Sequence, residues 1–392
     1  MESLFDAMPF TGYVYPNETV LAWTVLIVVY PYLTGLVAGA FTVSSLYQVF
    51  GMQRFKPVAH LALLTSLCCM LVVPVPLLLH LGHPERAFNA LITPHTTSAF
   101  AIFGYAAGFY AILLMLENWF VFRPHIVQQA QRRTGVLGWF YRALSLGSYD
   151  LSEKAMRYDR KWIFALAVIG IPAAHGLHGY VGFVFGSLKS REWWSSDLMP
   201  AVFLFSAIIS GTALLVVLYV ITCLLRKVPI DLPCLKGMAL TLWGFMMFTL
   251  LLEGVEFASL VYRGREGIEM IMEYVKGPLI VPFAILQFGV GSLLPLLLLT
   301  FVAWRGITGK AMVASVTVSA FLVLFAVLMM RWNVVIGGQE IAKTGKGLLE
   351  YHPALFGREG ILTAVAVVAA PFVLLSIMVR LFPPWAHDAK AA

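Results

Sequence analysis

The sequence predicts an all-α integral membrane protein of about nine transmembrane helices, with two antiparallel four-helix bundles, one additional C-terminal helix and the N-terminus outside. Three observations lead there. The 392 residues are 60% hydrophobic and 12% charged, with a mean hydropathy of +0.84, far from the balance of a soluble domain. Nine stretches meet the requirement of about 20 mostly apolar residues for a spanning helix. Lys and Arg gather in alternate loops.

The expected spans are residues 20–49, 57–81, 97–121, 162–187, 199–226, 237–262, 277–304, 311–331 and 360–382. Residues 1–19 lack a basic start and carry Glu2, Asp6 and Glu18, so no cleavable leader is expected and the first helix stays as an anchor behind an extracytoplasmic tail. Of the 27 Lys and Arg, 17 fall in one set of alternate loops, eight of them in 122–161, and 10 in the other. Asp and Glu divide the opposite way, five against 12. Basic residues collect on the cytoplasmic side, which puts the tail of segment 360–392 in the cytoplasm of a bacterial or archaeal cell. The net charge of +7 is thus mostly a topology signal and gives no reason to invoke nucleic acid.

Short loops make neighbouring helices antiparallel. Gly35 and Gly39 in the first helix match Ser206, Ser210 and Gly211 in the fifth. This placement hints at a duplicated four-helix unit, residues 20–187 and 199–331, although close helix packing by itself explains such residues, Gly182 and Gly186 included. The inner segment 123–161 interleaves Trp139, Phe140, Tyr141, Leu144 and Leu146 with basic residues. It reads either as a helix lying in the lipid interface or as a solvated linker. The outer loop 332–359 is long enough to dock a partner. Cys68, Cys69, Cys223 and Cys234 are too few and wrongly spaced for a metal cluster and read as small buried hydrophobes.

Ionisable groups are expensive at membrane depth and mark proton, ion or substrate sites. His175 and His178, three residues apart, project from one face of the fourth helix. A neutral imidazole both donates and accepts, which suits the protons of a quinol; two histidines satisfied by neighbouring helices is the alternative. Glu253 and Glu256 share a face of the sixth helix in its outer half. They are either a proton relay or a structural lock with Arg331. Glu117, near the inner end of the third helix, can reach water by snorkelling and is a candidate inner mouth of a proton path. Gln287, Asn333 and Gln339 add polar groups toward the outer face. Between the second and third helices, His80, His83, Glu85, Arg86, Asn89 and His95 form a polar lid without metal-cage spacing. Only His80 and His178 come near the facing arrangement that a haem clamp requires, so no haem is expected.

Four segments carry a resemblance: PYLTGLVAGA in the first helix, HLGHPERAFNALITP after the second, IPAAHGLHGY in the fourth and RWNVVIGGQ closing the eighth. Together, over roughly residues 20–340, they resemble the NrfD-like membrane subunits, the group containing the polysulfide reductase membrane anchor, and within it the quinone-interacting branch linked to sulfite and sulfur metabolism. The resemblance implies a membrane subunit of a respiratory oxidoreductase complex with no haem or iron–sulfur cluster of its own. Its substrate would be a quinone, menaquinone or ubiquinone, held near the outer face. Electrons would pass to or from an extracytoplasmic iron–sulfur protein, with cytochrome or catalytic subunits beyond it. Carried over residue by residue, the quinone contacts fall on His178, Tyr180, Tyr32, Gly35, His80, His83 and Arg86, beside His175. Relatives often have DLGRP where this chain has His80 and His83, so the carboxylate of that pattern is missing here. The alternatives are a proton-coupled secondary transporter, in which Pro31, Pro74, Pro76, Pro172 or Pro295 would break helices, and a structural anchor for a soluble enzyme.

Overall fold

The computed structural model describes residues 20–95, 97–264, 268–344 and 347–385. The N-terminal tail 1–19 and the last residues, from 386, lie outside the described residues. Among those described, nine helices are long and apolar enough to cross a membrane. They are α1 (Val25–Gln48), α2 (Gln53–His80), α3 (Ala99–Arg132), α4 (Glu153–Gly186), α5 (Met199–Arg226), α6 (Leu232–Arg263), α7 (Ile280–Trp304), α8 (Gly309–Glu340) and α9 (Ile361–Leu381). The only β pairing among the described residues is an isolated bridge between Ile341 and Leu348. The chain is an all-α, multi-pass membrane protein.

Helix α1 is the central element and packs against α2, α4, α5 and α8. Its closest approach is to α5, and the reason is steric. A Cβ added at Gly39 would overlap the Ala207 carbonyl and the backbone of Gly211, and one added at Gly211 would run into Gly39 and Ala40. Lipid tails are as apolar as Leu, so helices in a bilayer gain by van der Waals contact, which small residues permit at short range. A second contact of this kind joins α4 to α5, where Gly182 abuts Met199, Pro200 and Phe203. Helix α9 lies against α2. All four cysteines are buried and unpaired by disulfides.

On the inner side α3 and α4 run well past the expected ends, to 34 residues each. Nothing in the sequence stops α3 before Thr134 and Gly135, and it passes through Pro124. A short helix, Gly135–Leu144, then lies between them. Tyr141 from this helix donates to the Leu381 carbonyl (2.9 Å), and the Trp119 indole donates to the Leu144 carbonyl (2.8 Å). Val136 and Trp139 face outward, so the segment is a tethered amphipathic helix rather than a solvated linker. Its base is fixed by Arg123, which bonds Asp159 at 2.7 to 2.8 Å and also reaches Ser148 and the Asp150 carbonyl. Ser152 caps α4 by accepting from the Ala155 amide. Asp150 accepts from the Ser152 amide and hydroxyl, which hold its carboxyl below the usual range.

The outer half of α7 departs from α-helical geometry: Ile280–Leu293 is a π-helix of 14 residues. Pro282 and Pro295 remove two amide donors, and the Ser292 hydroxyl donates to the Gln287 carbonyl (2.9 Å). A second π turn, Asn333–Gly337, extends α8 beyond the expected limit at 331. Such segments are uncommon and concentrate at functional sites. Above them, Trp23 stacks on Trp194 (5.2 Å between centroids), and the Gln339 side chain accepts from the Trp23 amide (2.9 Å) and donates to its carbonyl (3.2 Å). The start of α1 is thereby tied to the end of α8.

Candidate functional site

Two polar assemblies lie inside the spans, one packed solid and one open. The solid one centres on Arg331 of α8, which is fully buried. Its Nη2 donates to Ser206 Oγ (2.6 Å) and to His178 Nε2 (3.1 Å), and its guanidinium lies 3.9 Å from the centroid of the Phe203 ring. Because an arginine can only donate, His178 Nε2 accepts. The ring proton then sits on Nδ1, which donates to Thr34 Oγ1 (3.2 Å). Thr34 in turn donates to the carbonyls of Tyr30 and Pro31. This network joins α1, α4, α5 and α8, and each contact constrains the next.

The open assembly lies between α5, α6, α7 and α8 toward the outer face. It is a cleft, open on one side, walled by Trp193, Phe257, Phe283 and Phe288. Glu253, Glu256, Gln287 and Asn333 converge on it. Asn333 Nδ2 donates to Gln287 Oε1 (2.8 Å) and to the Pro282 carbonyl (3.2 Å), and Gln287 Nε2 faces Glu253 Oε2 at 3.4 Å. Glu256 accepts from Ser196. Glu253 and Arg331 also interact electrostatically, which links the two assemblies. The π geometry of α7 sets Gln287 on this wall. A second, much smaller cavity continues inward and shares Glu253, Gln287 and Met330 with the first.

The residues singled out from the sequence therefore separate. Glu253 and Glu256 line the larger cavity and Arg331 stands behind it. None of the eight expected quinone contacts lines either cavity. His178 is consumed in the Arg331 network, with Gly35 against its ring. His175 bonds Thr42 Oγ1 (3.1 Å) and the Ile171 carbonyl (2.7 Å). Tyr180 donates to the Ala99 carbonyl (3.0 Å), and Tyr32 to the Leu324 carbonyl (3.4 Å). His80 pairs with Glu359 (3.1 Å), His83 with Glu85 (2.9 Å), and Arg86 stands on the exposed outer segment. Glu117 does not snorkel: it is fully buried, and neither carboxyl oxygen has a hydrogen-bond partner. Among the described residues no group of three or more His, Cys, Asp or Glu is placed to hold a metal ion. The sequence reading missed the loop carrying Glu192, Trp193, Ser195 and Ser196, which closes the cavity from above. Its signal was the adjacent Trp193 and Trp194 among polar residues in a short outer connection.

A spanning bundle with a tied outer end and an acid-lined cavity narrows the comparison with known proteins. The family model described as polysulphide reductase, NrfD, matches residues 15–342. The chain belongs to the NrfD family. It is similar to a selenate reductase subunit of Mesobacillus selenatarsenatis, 32% identical over 379 residues that cover 92% of this chain and 86% of the relative. It is similar, too, to a putative dimethyl sulfoxide reductase membrane subunit of Halobacterium salinarum, 29% identical over 52% of this chain and 44% of that protein. The integral membrane subunit of an Hdr-like menaquinol oxidoreductase from Archaeoglobus fulgidus is 24% identical over 60% of this chain and 51% of its own length. All three relatives are named as subunits of reductases or oxidoreductases, and the latter two as membrane subunits.

Proposed function

We propose that this NrfD-family chain is the quinone-binding membrane subunit of a respiratory oxidoreductase complex, with the quinone ring in the cavity between α5, α6, α7 and α8. What carries the reading is the convergence of two carboxylates and two side-chain amides on one aromatic-walled cavity at the outer end of the spans. Ligand sites are mostly apolar, with a few polar groups that fix orientation. The Gln287 amide is placed to donate to a quinone oxygen, and Glu253 and Glu256 to take the two protons that a quinol releases. Arg331 and its His178 clamp position Glu253 from behind. Two electrons leave with those protons, and the side chains that line the cavity carry no redox centre, so the electrons pass to a partner subunit. That partner is read as an extracytoplasmic iron–sulfur protein, because the cavity opens toward the outer loops. The relative named as a menaquinol oxidoreductase subunit supports the same chemistry. Conversion of sulfur compounds or related oxidants belongs to the further subunits.

The interrupted α7 is also what a proton-coupled transporter would show. The aromatic walls and the oxidoreductase relatives favour the quinone. The test is a titration of the purified protein with a fluorescent quinolone N-oxide, a mimic of the quinol ring. Saturable quenching is expected, with Glu253→Gln and Gln287→Leu each weakening it about tenfold, or 1.4 kcal/mol. Absence of saturable quenching in the native protein overturns the reading.

A further inference from the structure

The inner connection between α3 and α4 carries an apolar face that no described residue covers. On the short helix Gly135–Leu144, Gly138 and Tyr141 turn inward, while Val136 (84% exposed) and Trp139 (68% exposed) lie on the opposite side, with exposed Leu146 just beyond the helix end. Helical spacing joins Val136, Trp139 and Ala143 in one stripe. The level of the stripe is fixed by its attachments. The Tyr141 hydroxyl donates to the carbonyl of Leu381, the last residue of α9, and the Leu144 carbonyl accepts from Trp119, four residues before Arg123 on α3. At the foot of α4, Trp162 stacks on Phe120 of α3 (6.0 Å between centroids) and Tyr158 packs edge-on against Trp162, an aromatic pattern that belongs at headgroup level.

Charge at this level is mostly of one sign. Of the eight Lys and Arg in the segment, Arg123 is buried in its pair with Asp159, whereas Arg132, Arg133, Arg142, Lys154, Arg157, Arg160 and Lys161 are exposed. Against these seven stand two exposed acids, Asp150 and Glu153. The Arg142 guanidinium and the Arg133 backbone both lie against Gly138, which brings the two arginines to one end of the stripe, and Gln129 holds the Arg133 guanidinium at 3.2 Å.

We propose that this surface binds anionic phospholipid of the inner leaflet, with acyl chain against Val136, Trp139 and Leu146 and headgroup phosphate beside Arg133 and Arg142. Guanidinium groups match phosphate in geometry as well as charge, and basic residues at an anionic leaflet gain where an apolar face enters the same interface. The level of the stripe favours lipid over a cytoplasmic protein, which would have to displace headgroups to reach it. The surface lies on the inner side, away from the outer cleft, and is independent of the quinone reading.

The test reconstitutes the full chain into vesicles of phosphatidylcholine with a minority of phosphatidylglycerol, one or the other lipid carrying bromines near the top of its acyl chains. Quenching of Trp139 is read as the difference between the native protein and Trp139→Phe. Mole for mole, brominated phosphatidylglycerol should quench at least about threefold more than brominated phosphatidylcholine, and the Arg133→Gln, Arg142→Gln double variant should lose that preference. Should the double variant fail to fold, the native protein is measured from about 0.05 to about 0.5 M salt, over which the preference should shrink. Equal quenching by the two lipids, a preference that survives in the double variant or one indifferent to salt overturns the proposal. Quenching by neither lipid places the stripe against protein or water and overturns it as well.

Discussion

Arg331 of α8 donates to His178 of α4 over 3.1 Å, and neither side chain reaches solvent. A cation at this depth is costly unless its donors are met; here Ser206 and His178 take Nη2 and the Phe203 face lies against the guanidinium, while Nε has no hydrogen-bond partner. The histidine therefore serves the arginine, whose charge acts electrostatically on Glu253.

Removing the acceptor should expose that dependence. His178→Ala leaves Arg331 with one fewer acceptor in a dry core, and a loss of about 1–3 kcal/mol is expected. The loss is read as a lower midpoint in thermal unfolding in detergent. His178→Asn, which keeps an acceptor, should recover part of it.

The Arg123–Asp159 pair is almost wholly buried on the inner side, with side-chain exposures of 3% and 6%. Asp159→Ala leaves the guanidinium charge unpaired and should cost about 3–5 kcal/mol, whereas replacing both partners by apolar residues of similar volume should cost far less. Denaturant titration of the two variants separates these outcomes.

Helices α1 and α5 touch through Gly39 and Gly211. Gly211→Val introduces atoms where the Gly39 backbone already lies, and a loss of about 1–3 kcal/mol is expected from overpacking. Less monodisperse protein on size-exclusion chromatography would register it.

Glu117 carries the opposite expectation. Its carboxyl is buried without a hydrogen-bond partner, so Glu117→Met should raise stability by about 1–3 kcal/mol, the usual cost of an unmet polar group. Loss of proton uptake by proteoliposomes of this variant would tie the acid to proton transfer.

Much of the fold was legible in the sequence because lipid permits few solutions. Nine apolar stretches became nine spanning helices among the described residues, and Gly35, Gly39 and Gly211 stood where helices meet. The site was less legible. His175 and His178 drew attention as ionisable groups in a span, yet spacing along one helix does not reveal what faces it. Arg331 lies 153 positions away and spends the imidazole on a hydrogen bond. Glu253 and Glu256 were marked for the same reason and do line the cavity, because α6 turns them toward the interrupted part of α7. That interruption was hidden, since Pro282, Gly289, Gly291 and Pro295 fit an ordinary spanning helix as well as a π-helix. Glu117 was expected to reach water; the continuation of α3 to Arg132 places it inside the packed bundle instead.

The most direct test is a cryo-EM structure of the complex purified with added menaquinone. Ring density is expected between Glu253, Gln287 and Asn333. Ring density against His178, or against His80 and Arg86 on the outer segment, with the α5–α8 cavity occupied by water alone, would contradict it.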